Sequence, residues 1–345
     1  MKNISIIVPI YNAEDTIERM LASFISNKDY IKEVILVNDR STDNTFEKIE
    51  IFKSFFDIKV IDNQGNKGPG PGRKTGMLVA EGEWITFVDA DDCLTPNSLN
   101  YVSKQLEEYS ELVLLHCQSL YYETGFFNPE HIHHSDASCG GNFYKREYLI
   151  ENNLFPHETL FMAEDAYFNE IIELFVKYVK RTPEVIQYFD YPVYEVHHDY
   201  YDRSSFAAYD WGEYFYICHL TYKRYVMEFF NNYPEIDRQL KQEMLRNIIF
   251  AYYALEISLE DEDFPFEMKI LEEYLSSINF FTKRFKTTRR EIFAFYKTNP
   301  NIKYIRKSAE DSVQKPFEDK LDFRKFLYNL ENIKSKEDLD NYKKF

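Results

Sequence analysis

Trp84-Ile85-Thr86-Phe87-Val88-Asp89-Ala90-Asp91-Asp92 is a short apolar run that ends at three carboxylates. Near-continuous apolar character over so few residues suits a strand covered on both faces, and the carboxylates then mark its carboxyl end. Three upstream runs read the same way: Ile4 to Ile10, Val34 to Val37 and Ile58 to Ile61. Amphipathic segments separate them. In the first, Ile17, Met20, Leu21, Phe24 and Ile25 recur at helical spacing and present one apolar face, with Asn12 placed to cap that helix. Strands alternating with helices predict parallel βαβ units, so the expected class is α/β with a doubly wound, Rossmann-like first half.

In such sheets the ligand crevice lies outside the carboxyl ends of the strands. Those ends carry Tyr11-Asn12, Asn38-Asp39, Asp62-Asn63 and Asp89-Ala90-Asp91-Asp92. One Asp or Asn in a loop commonly serves a turn or a helix cap. Four such ends on one edge point to a site. The acidic loop has the chemistry of a hard divalent cation, Mg²⁺ or Mn²⁺, which takes oxygen ligands and often combines one or two carboxylates with substrate phosphates. The bland alternative is an acidic turn that caps a helix after Pro96. A carboxylate at a strand end, as at Asp39, can also accept the N–H of a pyrimidine ring.

Composition narrows the partners. The 345 residues are 44% hydrophobic and 29% charged, enough to bury a sizeable core. A formal charge of -17 opposes tight binding to nucleic acid, which needs a concentrated positive surface. No basic n-region with an apolar h-region opens the chain, and no stretch approaches a membrane span, so a cytoplasmic protein is expected. Cys93, Cys117, Cys139 and Cys218 form no C-x-x-C pair, which suits reduced thiols.

From about His116 the pattern becomes irregular, and the His131, His133 and His134 run is expected in a loop. Beyond Ser205 it turns helical, with Ile236, Leu240, Met244, Ile248 and Tyr252 stepping by four. The expected organisation is 1–205, divided into halves 1–115 and 116–205, followed by a helical region 206–345.

Five segments taken together resemble the family 2 glycosyltransferases. They are Ser5 to Asn12, Val37 to Asp43, Asn66-Lys67-Gly68 with Arg73, the Asp89 to Asp92 loop, and Glu164-Asp165. The resemblance spans roughly positions 4 to 205 and implies a GT-A-type mixed sheet, with 1–115 binding the nucleotide-sugar and 116–205 facing the acceptor. It implies inverting transfer from a UDP-sugar to a hydroxyl of a glycan or lipid-linked glycan, supported by Mn²⁺ or Mg²⁺. Asp39 then meets the base, Asp89 the ribose region and Asp91 the metal. Pro9, Tyr11, Asn12, Lys67, Gly68, Arg73 and Ala90 complete the donor site, with Lys67 and Arg73 placed to neutralise diphosphate oxygens. Asp89 and either His197 or His198, with His198 preferred, are further metal candidates. Gly72 and Lys74 depart from the family's usual Ala and Asn.

For the base, the resemblance favours Asp165 over Glu164, and the N-terminus of its helix is expected to keep Asp165 ionised. Two other functions compete. A nucleotidyltransferase would carry a glycine-rich loop after the first strand, where Pro9-Ile10-Tyr11-Asn12 stands instead. A silent sugar-nucleotide-binding scaffold would lack a base or a metal carboxylate, and neither is missing. Finally, the segment 283–307 is rich in Lys and Arg interleaved with Phe and Ile, which suggests contact with an anionic membrane surface.

Overall fold

The computed structural model describes residues 3–63, 68–123, 126–134, 138–160 and 163–198, with isolated residues between 222 and 233. The chain divides into two compact units, Met1–Arg203 and Ser204–Phe345. Lys67, Cys218, the stepped apolar residues from Ile236 to Tyr252 and the basic segment 283–307 lie outside the described residues. No helix among the described residues is long and apolar enough to cross a membrane.

The four expected strands form as β1 (Ile4–Ile10), β2 (Ile31–Asn38), β3 (Ile58–Asp62) and β4 (Trp84–Phe87). They pair in parallel in the order β3-β2-β1-β4. Helices cover both faces, which accounts for the nearly unbroken apolar runs. On one face Ile6, Val8, Val34 and Leu36 pack with Ile17, Met20, Leu21 and Phe24 of the first helix and its end, α1 (Ile17–Ser23). On the other, α3 (Pro69–Val79) lies against Ile7 and Val37. Between these helices in sequence, α2 (Thr45–Ile49) connects β2 to β3.

The proline- and glycine-rich segment is already helical, beginning at Pro69, with Gly68 at φ +119°, a conformation open to glycine. Its glycines are there for proximity. A Cβ on Gly76 would stand 2.3 Å from Ile7 Cγ2, and one on Gly70 would stand 2.4 Å from the His157 carbonyl oxygen. Glycine in a helix costs about 1 kcal/mol each relative to alanine, and close helix–strand packing is what that cost permits here.

The sheet continues as a mixed one, in keeping with the GT-A expectation. After β5 (Cys93–Leu94) and α4 (Ser98–Glu108) come β6 (Leu114–Glu123), β7 (Phe126–His134), β8 (Phe143–Lys145), α5 (Arg146–Glu151), α6 (Glu164–Leu174) and β9 (Ile186–His198). The strand order is β3-β2-β1-β4-β8-β6-β9-β5, with β7 beside β6. The histidine run therefore lies in a strand, where the backbone of His133 and His134 pairs with Ser119 and Gln118, and not in the expected loop. α6 buries Phe168, Ile171 and Ile172 on the predicted face.

At the amino ends of the strands, Glu33 is buried and ties four segments together. It accepts bonds from Ser5 Oγ (2.6 Å), the Glu81 N–H (2.6 Å) and Lys59 Nζ (2.7 Å). Burial pushes its carboxyl upward, and the bonds from Lys59, Ser5 and Glu81 outweigh that and hold it below the usual range.

Candidate active site

The carboxyl ends of β1 and β2 are laced together by side-chain bonds to backbone groups. Asn12, at φ +46°, does not cap α1. Its N–H donates to Ser41 Oγ (3.1 Å), and its Oδ1 accepts from the Thr42 N–H (2.8 Å). Asp43 takes the capping task nearby, accepting from the N–H of Glu14 (3.0 Å) and from the N–H and hydroxyl of Thr45 (3.2 and 2.5 Å). These bonds hold the segment around Asp39 in place. The Asp39 carboxylate accepts from the Gly68 N–H (2.7 Å) and Asn63 Nδ2 (3.1 Å), while Arg40 approaches to 3.3 Å. Two donor-site candidates far apart in sequence, Asp39 and Gly68, are thus in direct contact. Tyr11 is exposed beside Pro9, and Pro9 packs against Gly72.

The second cluster centres on Arg73, whose side chain is 5% exposed. One terminal nitrogen donates to Glu164 Oε1 (2.5 Å) and the other to Asp89 Oδ1 (2.8 Å). Expected at a diphosphate, the guanidinium is instead committed to two carboxylates 75 positions apart in sequence, at the end of β4 and the start of α6. Lys74 pairs with Glu158 and lies 5.2 Å from the Phe155 ring centroid.

In the acidic loop the three carboxylates have different surroundings. None caps α4, where Asn27 Oδ1 accepts from the Leu99 N–H (3.0 Å). Asp92 is buried and accepts from the Tyr194 hydroxyl (2.8 Å) and the His197 N–H (2.9 Å). Burial, then the charges of Asp91 and Asp89, push its carboxyl well above the usual range. The Tyr194 hydroxyl in turn accepts from the Asp89 N–H (3.0 Å). Tyr194 is bedded on Gly140 and Gly141, where an added Cβ would stand 2.6 Å from its atoms. Arg19 holds the Asp91 carbonyl oxygen at 2.6 Å.

Asp92 is therefore internal to the loop's construction, and Asp89 and Asp91 are the carboxylates left at its surface, both partly exposed. An all-oxygen donor pair in a crowded negative loop suits a hard divalent cation. No group of three His, Cys, Asp or Glu side chains gathers as a metal site among the described residues. The His197 ring stacks on Tyr122 at 4.9 Å and approaches Glu195 at 3.4 Å. His198 closes β9 opposite Glu123, and its side chain is outside the described residues.

Asp165 stands in the first turn of α6, after Ala163 in the left-handed conformation. Its Oδ1 accepts the Ala166 N–H (2.8 Å), and the Cys139 thiol approaches its carbonyl oxygen at 3.9 Å. The helix N-terminus does not keep this carboxyl in the ordinary acid range. Burial first, and then the neighbouring Glu164 charge, raise it to about 7, against the opposing pull of Arg73. A carboxyl poised there can take a proton near neutral pH.

Residues 5–172 match the family model described as Glycosyl transferase family 2. They belong to that family. The chain is 31% identical over 186 residues to the poly(ribitol-phosphate) beta-N-acetylglucosaminyltransferase TarS of Staphylococcus aureus, covering 49% of this chain and 32% of that protein. It is 35% identical over 118 residues to a poly(ribitol-phosphate) beta-glucosyltransferase of Bacillus spizizenii, covering 32% of this chain and 18% of the relative. The chain thus spans about a third of the length of TarS and less of the second relative. The crystal structure of S. aureus TarS 1-349 in complex with UDP-GlcNAc matches with a TM-score of 0.59 and 23% identity, over 90% of this chain and 89% of that one. The family 2 fold accounts for the four parallel strands, and the mixed second half completes it.

Sequence reading missed three supports of the site: Tyr194, the Gly140-Gly141 bed beneath it, and Glu164 as partner of Arg73. A glycine pair beside Cys139 and an aromatic residue next to Val193 were visible signals, but only the folded register brings them under the acidic loop.

Proposed function

We propose that this chain is a divalent-metal-dependent, inverting glycosyltransferase that moves a sugar from a UDP-sugar to a hydroxyl of a glycan or lipid-linked glycan. The observation that carries the reading is the grouping of Asp39, Asp89 and Asp165 around the carboxyl ends of the parallel strands, with Asp89 and the Asp165 helix joined through Arg73. Asp39 offers a carboxylate to the uracil N–H beside Gly68. Asp89 and Asp91 would hold the cation, which supplies electrostatic stabilisation of charge on the departing diphosphate.

Asp165 accepts the proton of the acceptor hydroxyl while that oxygen bonds to the anomeric carbon. The bond from this carbon to the diphosphate oxygen breaks on the opposite face, so UDP leaves with the electron pair and the configuration inverts. Desolvation around Asp165 and the Glu164 charge match its proton affinity to neutral pH.

Because the relatives are named as poly(ribitol-phosphate) N-acetylglucosaminyl- and glucosyltransferases, UDP-N-acetylglucosamine and UDP-glucose are the donors to test first and poly(ribitol phosphate) the first acceptor. The test is UDP release across a panel of UDP-sugars, with and without each acceptor. Acceptor-stimulated release supports transfer; donor binding without release under any acceptor points to a binding scaffold.

A further inference from the structure

The guanidinium of Arg73 is nearly excluded from solvent, yet it spends both terminal nitrogens on carboxylates from different parts of the site. Its Nε–H is buried with no partner among the described residues. An unmade bond of that kind is destabilising, so the position is not optimised for folding alone. Asp89, Glu164, Cys139 and Asp165 all face it closely enough to act on its charge. Below it, the Phe87 ring centroid lies 6.0 Å away, and α3 is brought in by Gly70 and Gly76 at contacts that a Cβ would prevent.

We propose that Arg73 is a positioning residue for transfer, fixing the donor-side loop at Asp89 and the first turn of α6 at Glu164 to one another. Asp165 is then presented to the acceptor hydroxyl only while both bonds hold. The rigid fork suits this task because its two ends are separate donors at fixed spacing, whereas a lysine offers one point charge. Glu164 becomes an anchor for the base helix, which explains why two adjacent acids occur and only one acts as base. This inference rests on the functional reading above.

The test uses Arg73→Gln, Arg73→Lys and the double variant Arg73→Gln with Glu164→Gln. Donor and acceptor kinetics are measured beside the denaturation midpoint of each protein. Misplacement of a reacting group by about 1 Å costs on the order of 100-fold in rate, so Arg73→Gln is expected to lose about that factor in kcat. Arg73→Lys keeps the charge and still loses most of the rate. Arg73→Gln also lowers the midpoint, because Glu164 is left buried and unpaired, and the double variant recovers the midpoint. The double variant does not recover kcat.

Recovery of kcat together with the midpoint would reduce Arg73 to a structural residue and overturn the inference, as would wild-type kcat in Arg73→Lys. Absence of transfer by the wild-type protein over the whole donor and acceptor panel would overturn the functional reading, and this inference with it. Transfer by the wild type with unaltered Arg73 variants would overturn the inference alone.

Discussion

Lowering the pH from 8 to 5 is the perturbation that speaks most directly to the environment of Asp165. With its carboxyl raised to about 7, about half of the free protein carries the ionised base at pH 7 and about a tenth at pH 6. At saturating donor, kcat/KM for the acceptor should therefore fall about fivefold from pH 7 to 6 and about tenfold from pH 6 to 5. Burial and the Glu164 charge raise this carboxyl, so Glu164→Gln should move the acidic limb to lower pH. The same shift has a stability counterpart. A folded-state value above the ordinary 3.8 gives a contribution fully present below about pH 4 and lost as pH rises through 7. Asp165→Asn should accordingly raise the thermal midpoint at pH 8 and leave it nearly unchanged at pH 4. Initial rates in a three-component constant-ionic-strength buffer read the limb, and scanning fluorimetry reads the midpoint. A limb near pH 4, or one displaced upward by Glu164→Gln, would refute the assignment of burial and Glu164 as its causes.

Tyr194→Phe removes the hydroxyl that joins the Asp89 N–H to the buried Asp92 carboxyl, and should cost about 1–3 kcal/mol by urea denaturation. It should also weaken Mn²⁺ support of turnover, measured by metal titration. Asp91→Ala should abolish metal-supported turnover, whereas Asp43→Ala should cost about 1 kcal/mol of stability through its lost cap and spare the chemistry. Glu33 is held below the usual carboxylate range, so its stabilisation is present at neutral pH and lost as pH falls through its folded-state value. Glu33→Gln should flatten that acid dependence in denaturation midpoints measured from pH 7 to 3.

The parallel half was legible because its strands are apolar on both faces and its polar residues collect at one set of ends. Asn12 misled because its position before a helix looks local, while its bonds run to Ser41 and Thr42 across the neighbouring strand end. The second half was less legible, since β6, β8 and β9 pair out of sequence order and no periodicity announces that register. The same non-local pairing hid Tyr194. Arg73 was read as a contact to diphosphate oxygens, because residue type reveals a charge and not the two carboxylates that the fold brings around it. Asp165 was placed on the correct helix turn, but its proton affinity was set by burial that only the packed structure contains.

The most direct test compares wild-type protein and Asp165→Asn with UDP-N-acetylglucosamine, UDP-glucose and UDP-galactose over an acceptor array, reading product mass and UDP together. Wild-type protein is expected to yield an acceptor heavier by one sugar, with one UDP released per product, while Asp165→Asn binds donor equally and transfers about 10²- to 10⁴-fold more slowly. Equal transfer by the two proteins, or donor binding by the wild type with no product on any acceptor, would contradict a transferase that uses Asp165 as its base.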